Sequence, residues 1–302
     1  MLSPDDPALA TSLNNLGTVY RAMGKYSEAD PLFERALAIY EKSRGNQNED
    51  VANVLDNWAY LYQLEGRYSK AEPYFVQSLE IRVNALGPEH PAVASSLNRL
   101  AFFYELTGRY SKAEQLSRQA LTILQKSIGE QHAAAVEALN NLGILHKKQR
   151  KHPEAEQMLL QALEISEKLS GSNHPNTARV LLNLGRLYAE EGKSAEAQAV
   201  LERSLASLQS SLGPNHTDVA EAYSTLGAIY VSQAQYDQAE SSCQHALDIL
   251  ENTPSPDYPA LIGALRVYAD LLVKTNQKPR AELFETKAMT YTAMFHELNN
   301  SR

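Results

Sequence analysis

The chain has 302 residues, of which 43% are hydrophobic and 21% are charged, and its formal net charge is -8. This composition is typical of a folded globular protein, and the acidic balance argues against general nucleic-acid binding. The single cysteine excludes an internal disulfide framework and favours a reducing compartment. No apolar run reaches the roughly eighteen residues that a membrane span needs. We therefore expect a cytoplasmic protein that binds neither nucleic acid nor a membrane.

The sequence repeats itself every 42 residues. The position of Ala101 is glycine or alanine in each copy, and a second position is always alanine: Ala29, Ala71, Ala113, Ala155, Ala197, Ala239 and Ala281. A fixed period of this length indicates an array of stacked repeats. We expect one array over residues 1–302, with seven repeats at approximately 7–48, 49–90, 91–132, 133–174, 175–216, 217–258 and 259–298.

Each copy carries two helical patterns. In the first copy, the first pattern places four residues at i, i+3, i+4 and i+7, on one face of a helix: Leu13, Leu16, Gly17 and Tyr20. Gly24 interrupts this pattern, and a second helix begins at Tyr26. Gly45 follows the second helix, where a helix C-cap favours a residue that can adopt positive φ. The same helix C-cap is expected at Gly87, Gly129, Gly171 and Gly213.

Small residues occupy one position on each helix of the pair. Gly17 on the first helix and Ala29 on the second predict that the two helices approach each other closely there. The large side chains of Leu16, Tyr20 and Phe33 are expected to fill the space on either side.

The order Leu13-x2-Leu16-Gly17-x2-Tyr20, followed by Ala29-x3-Phe33, resembles the tetratricopeptide repeat (TPR). The usual TPR period is about 34 residues, and the additional length here lies in a longer second helix and a linker of the form G-x2-H-P. Those features are similar to the 42-residue repeats of kinesin light chains. The resemblance implies an all-α, superhelical solenoid of seven TPR-like helix-turn-helix repeats.

Two residue types could suggest chemistry. Four histidines recur at one linker position, but a metal ion needs ligands at about 2 Å, and residues in successive repeats are separated by packed helices: His90, His132, His174 and His216. We expect these histidines to pack before the helix start. Cys243 shares the repeat position of Phe33 and is therefore expected in the packed interior. Because no catalytic motif is present either, we expect no enzyme activity, no metal and no cofactor.

The resemblance implies that the first helix of each repeat lines a concave surface that binds peptides. Asparagine recurs there although it is a mediocre helix former. Its amide can bond the backbone of an extended peptide, as this asparagine often does in the family, or it can bond neighbouring helices and hold the repeats together. Tyr60 and Phe102 add apolar contacts, and Arg99, Lys147 and Arg186 favour acidic ligand residues, although nearby carboxylates dilute that charge. The predicted peptide-binding residues are Asn15, Asn57, Tyr60, Asn98, Arg99, Phe102, Asn140, Asn141, Lys147, Asn183 and Arg186.

Three functional hypotheses remain open. The first is a non-catalytic scaffold that binds a partner protein or peptide in the concave groove. The second is the sensor or scaffold region of a larger enzyme or signalling protein, which is favoured slightly because the sequence starts inside a linker. The third is self-association through the end faces. In the last copy Glu285 takes the position that Phe33 occupies in the first, which predicts a polar cap at the end of the array.

Overall fold

The computed structural model describes residues 5–129, 132–253 and 257–300, with the side chains of all of these except residues 128 and 296–300. These ranges form fourteen α-helices and no β-strand. The helices are α1 (Pro7–Ala22), α2 (Tyr26–Arg44), α3 (Glu49–Leu64), α4 (Tyr68–Leu86), α5 (Pro91–Leu106), α6 (Tyr110–Ile128), α7 (Ala133–Lys148), α8 (His152–Ser170), α9 (Pro175–Glu190), α10 (Ser194–Leu212), α11 (Thr217–Ser232), α12 (Tyr236–Glu251), α13 (Tyr258–Lys274) and α14 (Lys278–Asn300). Consecutive helices pair, which confirms the all-α fold of seven helix-turn-helix repeats.

The helices belong to two compact units, and the chain passes from one to the other within α7, after Leu145. In unit 1, successive repeats share an apolar core in which Phe33 and Phe103 are fully buried. In unit 2, a second core contains the buried side chains of Leu201 and Leu226. The expectation of a single array over residues 1–302 stays a prediction.

The helical pairs α1–α2 and α9–α10 each close over a glycine of the first helix. A Cβ atom added to Gly17 would lie 2.9 Å from Cε1 of Phe33, and one added to Gly185 would lie 2.5 Å from Cγ of Leu201. The large residue of the second helix therefore packs directly on the small residue of the first, as the sequence predicts. Leu16, which was expected to help fill this space, instead remains 43% exposed.

The linkers end one helix and begin the next by backbone capping. Gly87 follows α4 with a φ of 85°, as expected for a C-cap position, and its amide bonds the carbonyl of Val83. His90 then caps α5, because its Nδ1 accepts a hydrogen bond from the Ala92 amide at 3.2 Å. The other three linker histidines do the same, and Asp6 and Asn48 cap α1 and α3 from the same repeat position.

These histidines therefore stand directly before a helix start, as expected, and in addition their rings cap the helix that follows. His90 is exposed, and its ring satisfies an amide at a helix N-terminus that has no partner within the helix.

Candidate functional site

Four large apolar side chains are exposed on two first helices of unit 1. Tyr60 and Leu64 of α3 are 38% and 40% exposed, and Phe102 and Leu106 of α5 are 48% and 46% exposed. In each helix the two residues are one turn apart, so both lie on the same side. We call these four residues the apolar patch. Two such pairs on successive first helices are more than the single exposed apolar residues that are normal on a protein surface.

A buried arginine ties the helices of the apolar patch together. Arg82 of α4 is only 6% exposed, and its Nη1 lies 2.8 Å from Oδ2 of Asp56 on α3 and 2.6 Å from Oγ of Ser96 on α5. Removing one partner of such a pair would leave a buried charge uncompensated, which is strongly destabilising. The network therefore fixes α3 and α5 relative to each other and sets the spacing across the apolar patch.

The sequence analysis missed Arg82, although a signal was present. Its repeat position is aromatic or aliphatic in several other copies, at Tyr40, Leu124 and Leu208, so a charged residue there is out of pattern. Such a residue must find buried partners, which here are Asp56 and Ser96.

Asn57 and Tyr60 are both engaged by the neighbouring helix α1. The Arg21 guanidinium lies 4.7 Å from the centre of the Tyr60 ring and donates to the Asn57 carbonyl oxygen at 3.1 Å. The Asn57 amide donates to Oδ1 of Asn14 at 3.0 Å. Burial lowers the pKa of Arg21, which still carries its charge at neutral pH. At this position the asparagine bonds a neighbouring helix, which is the second of the two roles that the sequence left open.

The other predicted amides differ in accessibility. Asn15 is exposed, whereas Asn98 is only 8% exposed and its Oδ1 has no hydrogen-bond partner among the described residues. The structure leaves three more of them half-buried: Asn140, Asn141 and Asn183. Asn57, Tyr60, Arg99 and Phe102 lie on α3 and α5 of unit 1, whereas three predicted residues belong to unit 2: Lys147, Asn183 and Arg186.

The three cations predicted to meet acidic ligand residues each have a carboxylate partner in their own unit. Arg99 lies 3.9 Å from Asp56, Lys147 lies 2.7 Å from Glu190, and Arg186 lies 2.9 Å from Glu221. Burial raises the pKa of the Glu221 carboxyl, and the charge of Arg186 opposes that shift. These pairs reduce the positive charge that is free to attract an acidic ligand.

Cys243 lies in the packed interior, as the sequence predicts. Its side chain is 1% exposed and contacts Gly227 of α11, the first helix of the same repeat. Burial raises the pKa of the thiol to about 12, so the thiol is protonated at neutral pH and is a poor nucleophile. Separately, none of the described helices combines the length and the apolar composition needed to cross a membrane.

Two tetratricopeptide-repeat models match the sequence. One matches residues 50–126, 93–168, 134–210, 191–241 and 218–291, and the other matches residues 9–50. Comparison with curated proteins finds no match. Repeats of this kind generally form non-catalytic scaffolds for protein–protein interaction.

Several solved structures are similar to this chain. BtubC (BKLC) from P. vanneervenii is 26% identical, with 80% of this chain and 89% of that chain covered and a TM-score of 0.59. The TPR-like repeats of a putative kinesin light chain from Podosopora anserina are 27% identical, with 70% and 98% covered and a TM-score of 0.58. A Rap protein complexed with competence and sporulation factor is 14% identical, with 97% and 99% covered and a TM-score of 0.59, and shows similarity of fold alone. Since the family models together span residues 9–291, the chain belongs to the tetratricopeptide repeat family.

Proposed function

We propose that the apolar patch of unit 1 binds a segment of a partner protein, and that the chain acts as a non-catalytic scaffold through this contact. The observation that carries the proposal is the exposure of Tyr60, Leu64, Phe102 and Leu106 on two helices that Arg82 holds together. Contiguous exposed apolar groups mark interaction surfaces on soluble proteins. A preformed surface also binds with a smaller entropic cost than one that must first become ordered.

The partner segment is expected to be mainly apolar at the contact. Tyr60 and Leu64 are separated by about 6 Å along α3, and Phe102 and Leu106 by the same rise along α5, so the two pairs together accommodate about two ligand side chains. An acidic residue near Arg99 adds only a modest, salt-sensitive contribution, because Asp56 already partly compensates that charge. Binding of the partner backbone by the asparagines, with Asn15 the most accessible of them, stays a prediction.

The exposed fractions give the size of the expected effect. Fully burying a large apolar side chain stabilises a complex by about 1.5–3 kcal/mol. Tyr60 and Phe102 are 38% and 48% exposed. Covering the exposed part of each therefore contributes about 1 kcal/mol, and losing both weakens binding by about thirtyfold.

The test is a selection of binding peptides from a phage-displayed random library against the full chain. Affinities of the selected peptides are then measured for the chain, for Tyr60→Ser/Phe102→Ser and for a matched control, Leu160→Ser/Leu169→Ser. Both control residues are 44% exposed and lie on α8, so the two double variants remove comparable exposed groups. Weaker binding of the patch variant alone supports the proposal. Equal affinities for all three proteins, or no enriched peptide, would refute it.

A cytoplasmic location is part of the same proposal. The only cysteine is buried and unpaired, so nothing in the fold depends on an oxidising compartment. Fractionation of cells that express the natural protein tests this point.

A further inference from the structure

A cleft of about 690 Å³ opens in unit 2 where two successive repeats meet. It is lined by side chains of α10, α11 and α12 and of the linker between α10 and α11, and these helices have α9 before them and α13 after them. We call it the α10–α12 cleft. Among the described residues that line it, Asp248 is the only carboxylate and none is a lysine or an arginine.

Tyr223 of α11 departs from the repeat pattern inside this cleft. The equivalent residue of the six other first helices is a leucine that is at most 8% exposed: Leu13, Leu55, Leu97, Leu139, Leu181 and Leu265. Tyr223 is instead half-buried, and its ring is stacked on the exposed ring of His245, with ring centres 4.9 Å apart and planes 17° apart. The cleft therefore has a flat aromatic wall that the other repeats cannot form in the same way.

The polar side chains around this aromatic pair use their donors within the protein. Nε2 of Gln209 donates to the Tyr223 hydroxyl at 3.0 Å, and Nδ2 of Asn252 donates to a backbone carbonyl one turn earlier in α12 at 2.7 Å. Nδ1 of His245 also lies 2.7 Å from a backbone carbonyl oxygen one turn earlier. Because a carbonyl oxygen can only accept, Nδ1 carries the proton, and Nε2 of the neutral ring is an acceptor.

The cleft therefore presents several acceptors around one negative charge. They are the Asp248 carboxylate, the side-chain oxygens of Gln209 and Asn252, and Nε2 of His245. Within the described ranges, no hydrogen bond reaches these atoms. The complementary ligand group carries a positive charge and only donors, as a guanidinium or an ammonium group does. The aromatic wall favours the guanidinium, because its planar group stacks on rings and an ammonium group has no such plane.

We propose that the α10–α12 cleft binds an arginine side chain of a partner protein. The guanidinium pairs with the Asp248 carboxylate and lies on the exposed ring of His245, and its other N–H groups donate to the amide oxygens of Gln209 and Asn252. A guanidinium has five N–H donors and no acceptor, so it satisfies these groups without requiring a donor from the cleft. The proposal adds a second partner contact, in unit 2, and does not depend on the apolar patch.

The probe is N-acetyl-arginine N-methylamide, which presents the side chain without the terminal charges of the free amino acid. Ile249 is a buried residue that lines the cleft, so the NMR signal of its isotope-labelled δ1 methyl group in the full chain reports binding there. Ile249→Val identifies that signal. We expect a saturable shift with a Kd of about 1–10 mM, since one ion pair at an exposed carboxylate contributes little.

Three variants test the residues that the proposal uses. Asp248→Asn should weaken binding by at least about fivefold, because it removes the only carboxylate of the cleft. Tyr223→Leu introduces the residue that the six other first helices carry, and it should weaken binding by about threefold because the His245 ring loses its stacking partner. Asp270→Asn removes an exposed carboxylate of α13 outside the cleft and should leave binding unchanged. Circular dichroism verifies that each variant is folded.

Analogues of the probe test the ligand chemistry. The citrulline analogue has an uncharged urea group in place of the guanidinium and should not shift the Ile249 signal, and the lysine analogue should bind more weakly than the arginine probe. No shift at about 20 mM arginine probe, equal binding of either analogue, or binding that Asp248→Asn does not weaken would overturn the proposal. Binding of free arginine without binding of the blocked probe would assign the cleft to a small molecule and overturn it as well.

Discussion

Replacing two helical glycines of unit 2 by alanine, one at a time, should have opposite effects on the stability of the fold. Gly185 of α9 lies under Leu201, and a Cβ atom there would be 2.5 Å from Cγ and 2.7 Å from Cδ2 of that side chain. Gly263 of α13 is exposed, and a Cβ atom there would meet nothing within 4 Å. Both substitutions to alanine change the intrinsic helix propensity equally. The difference between their effects on the free energy of unfolding therefore measures how tightly Leu201 packs on Gly185.

The expected magnitudes follow from these contacts. Replacing a helical glycine by alanine stabilises the fold by about 0.5–1 kcal/mol where space permits, which is the expectation for Gly263→Ala. Carbon atoms pack best at about 3.5–4.0 Å, so the methyl group of Gly185→Ala is about 1 Å too close to a fully buried leucine. Overpacking of this kind costs about 1–3 kcal/mol. We expect Gly185→Ala to be destabilising by about 1 kcal/mol after the gain in helix propensity.

Urea unfolding followed by circular dichroism measures both variants. Because repeat proteins need not unfold in one step, the transition midpoints of the variants should be compared directly. A third measurement places Gly185→Ala in a Leu201→Ala background, where the contacts with Leu201 are absent and only Cγ2 of Val200, at 3.2 Å, remains close, so the substitution should no longer be destabilising. Equal effects of Gly185→Ala and Gly263→Ala, or the same destabilisation in the Leu201→Ala background, would refute this account of how the helices pack.

Three further predictions concern single side chains. His174→Ala should lower stability by about 1 kcal/mol in thermal unfolding, whereas His174→Asn should retain the N-cap of α9 and change little. Ala234, which has a φ of 58°, takes the turn position that is glycine in four other repeats, so Ala234→Gly should stabilise by about 0.5–1 kcal/mol. The Cys243 thiol, with its pKa raised to about 12, should react with Ellman's reagent only after unfolding; rapid labelling of the native protein at neutral pH would contradict its burial.

The fold could be predicted from the sequence because every repeat obeys the same packing constraints. Gly17 and Ala29 indicate where two helices approach, and Gly87 indicates where a helix ends, each for a local steric reason. The histidine caps could also have been found. Asp6 and Asn48 hold the position of His90 in other repeats, and these are strongly preferred N-cap residues.

The candidate site could be predicted only in part. The exposure of Tyr60 and Phe102 followed from their place on the polar side of each first helix. The hydrogen bonds of Asn57 and the burial of Asn98 could not be predicted in this way, because they depend on how closely α1, α3 and α5 approach one another. That spacing is set by contacts between repeats, such as the Arg82 network, which the pattern within one repeat does not contain.

The central claim is that a partner segment lies on the apolar patch, and site-specific photo-crosslinking tests it most directly. p-Benzoylphenylalanine is incorporated at Phe102, which is 48% exposed on α5, or at Leu160, which is 44% exposed on α8. Each protein is irradiated with a peptide selected from the library and analysed by mass spectrometry. The account predicts a covalent adduct at position 102 and little or none at position 160. Equal adducts at both positions, or an adduct at 160 alone, would contradict it.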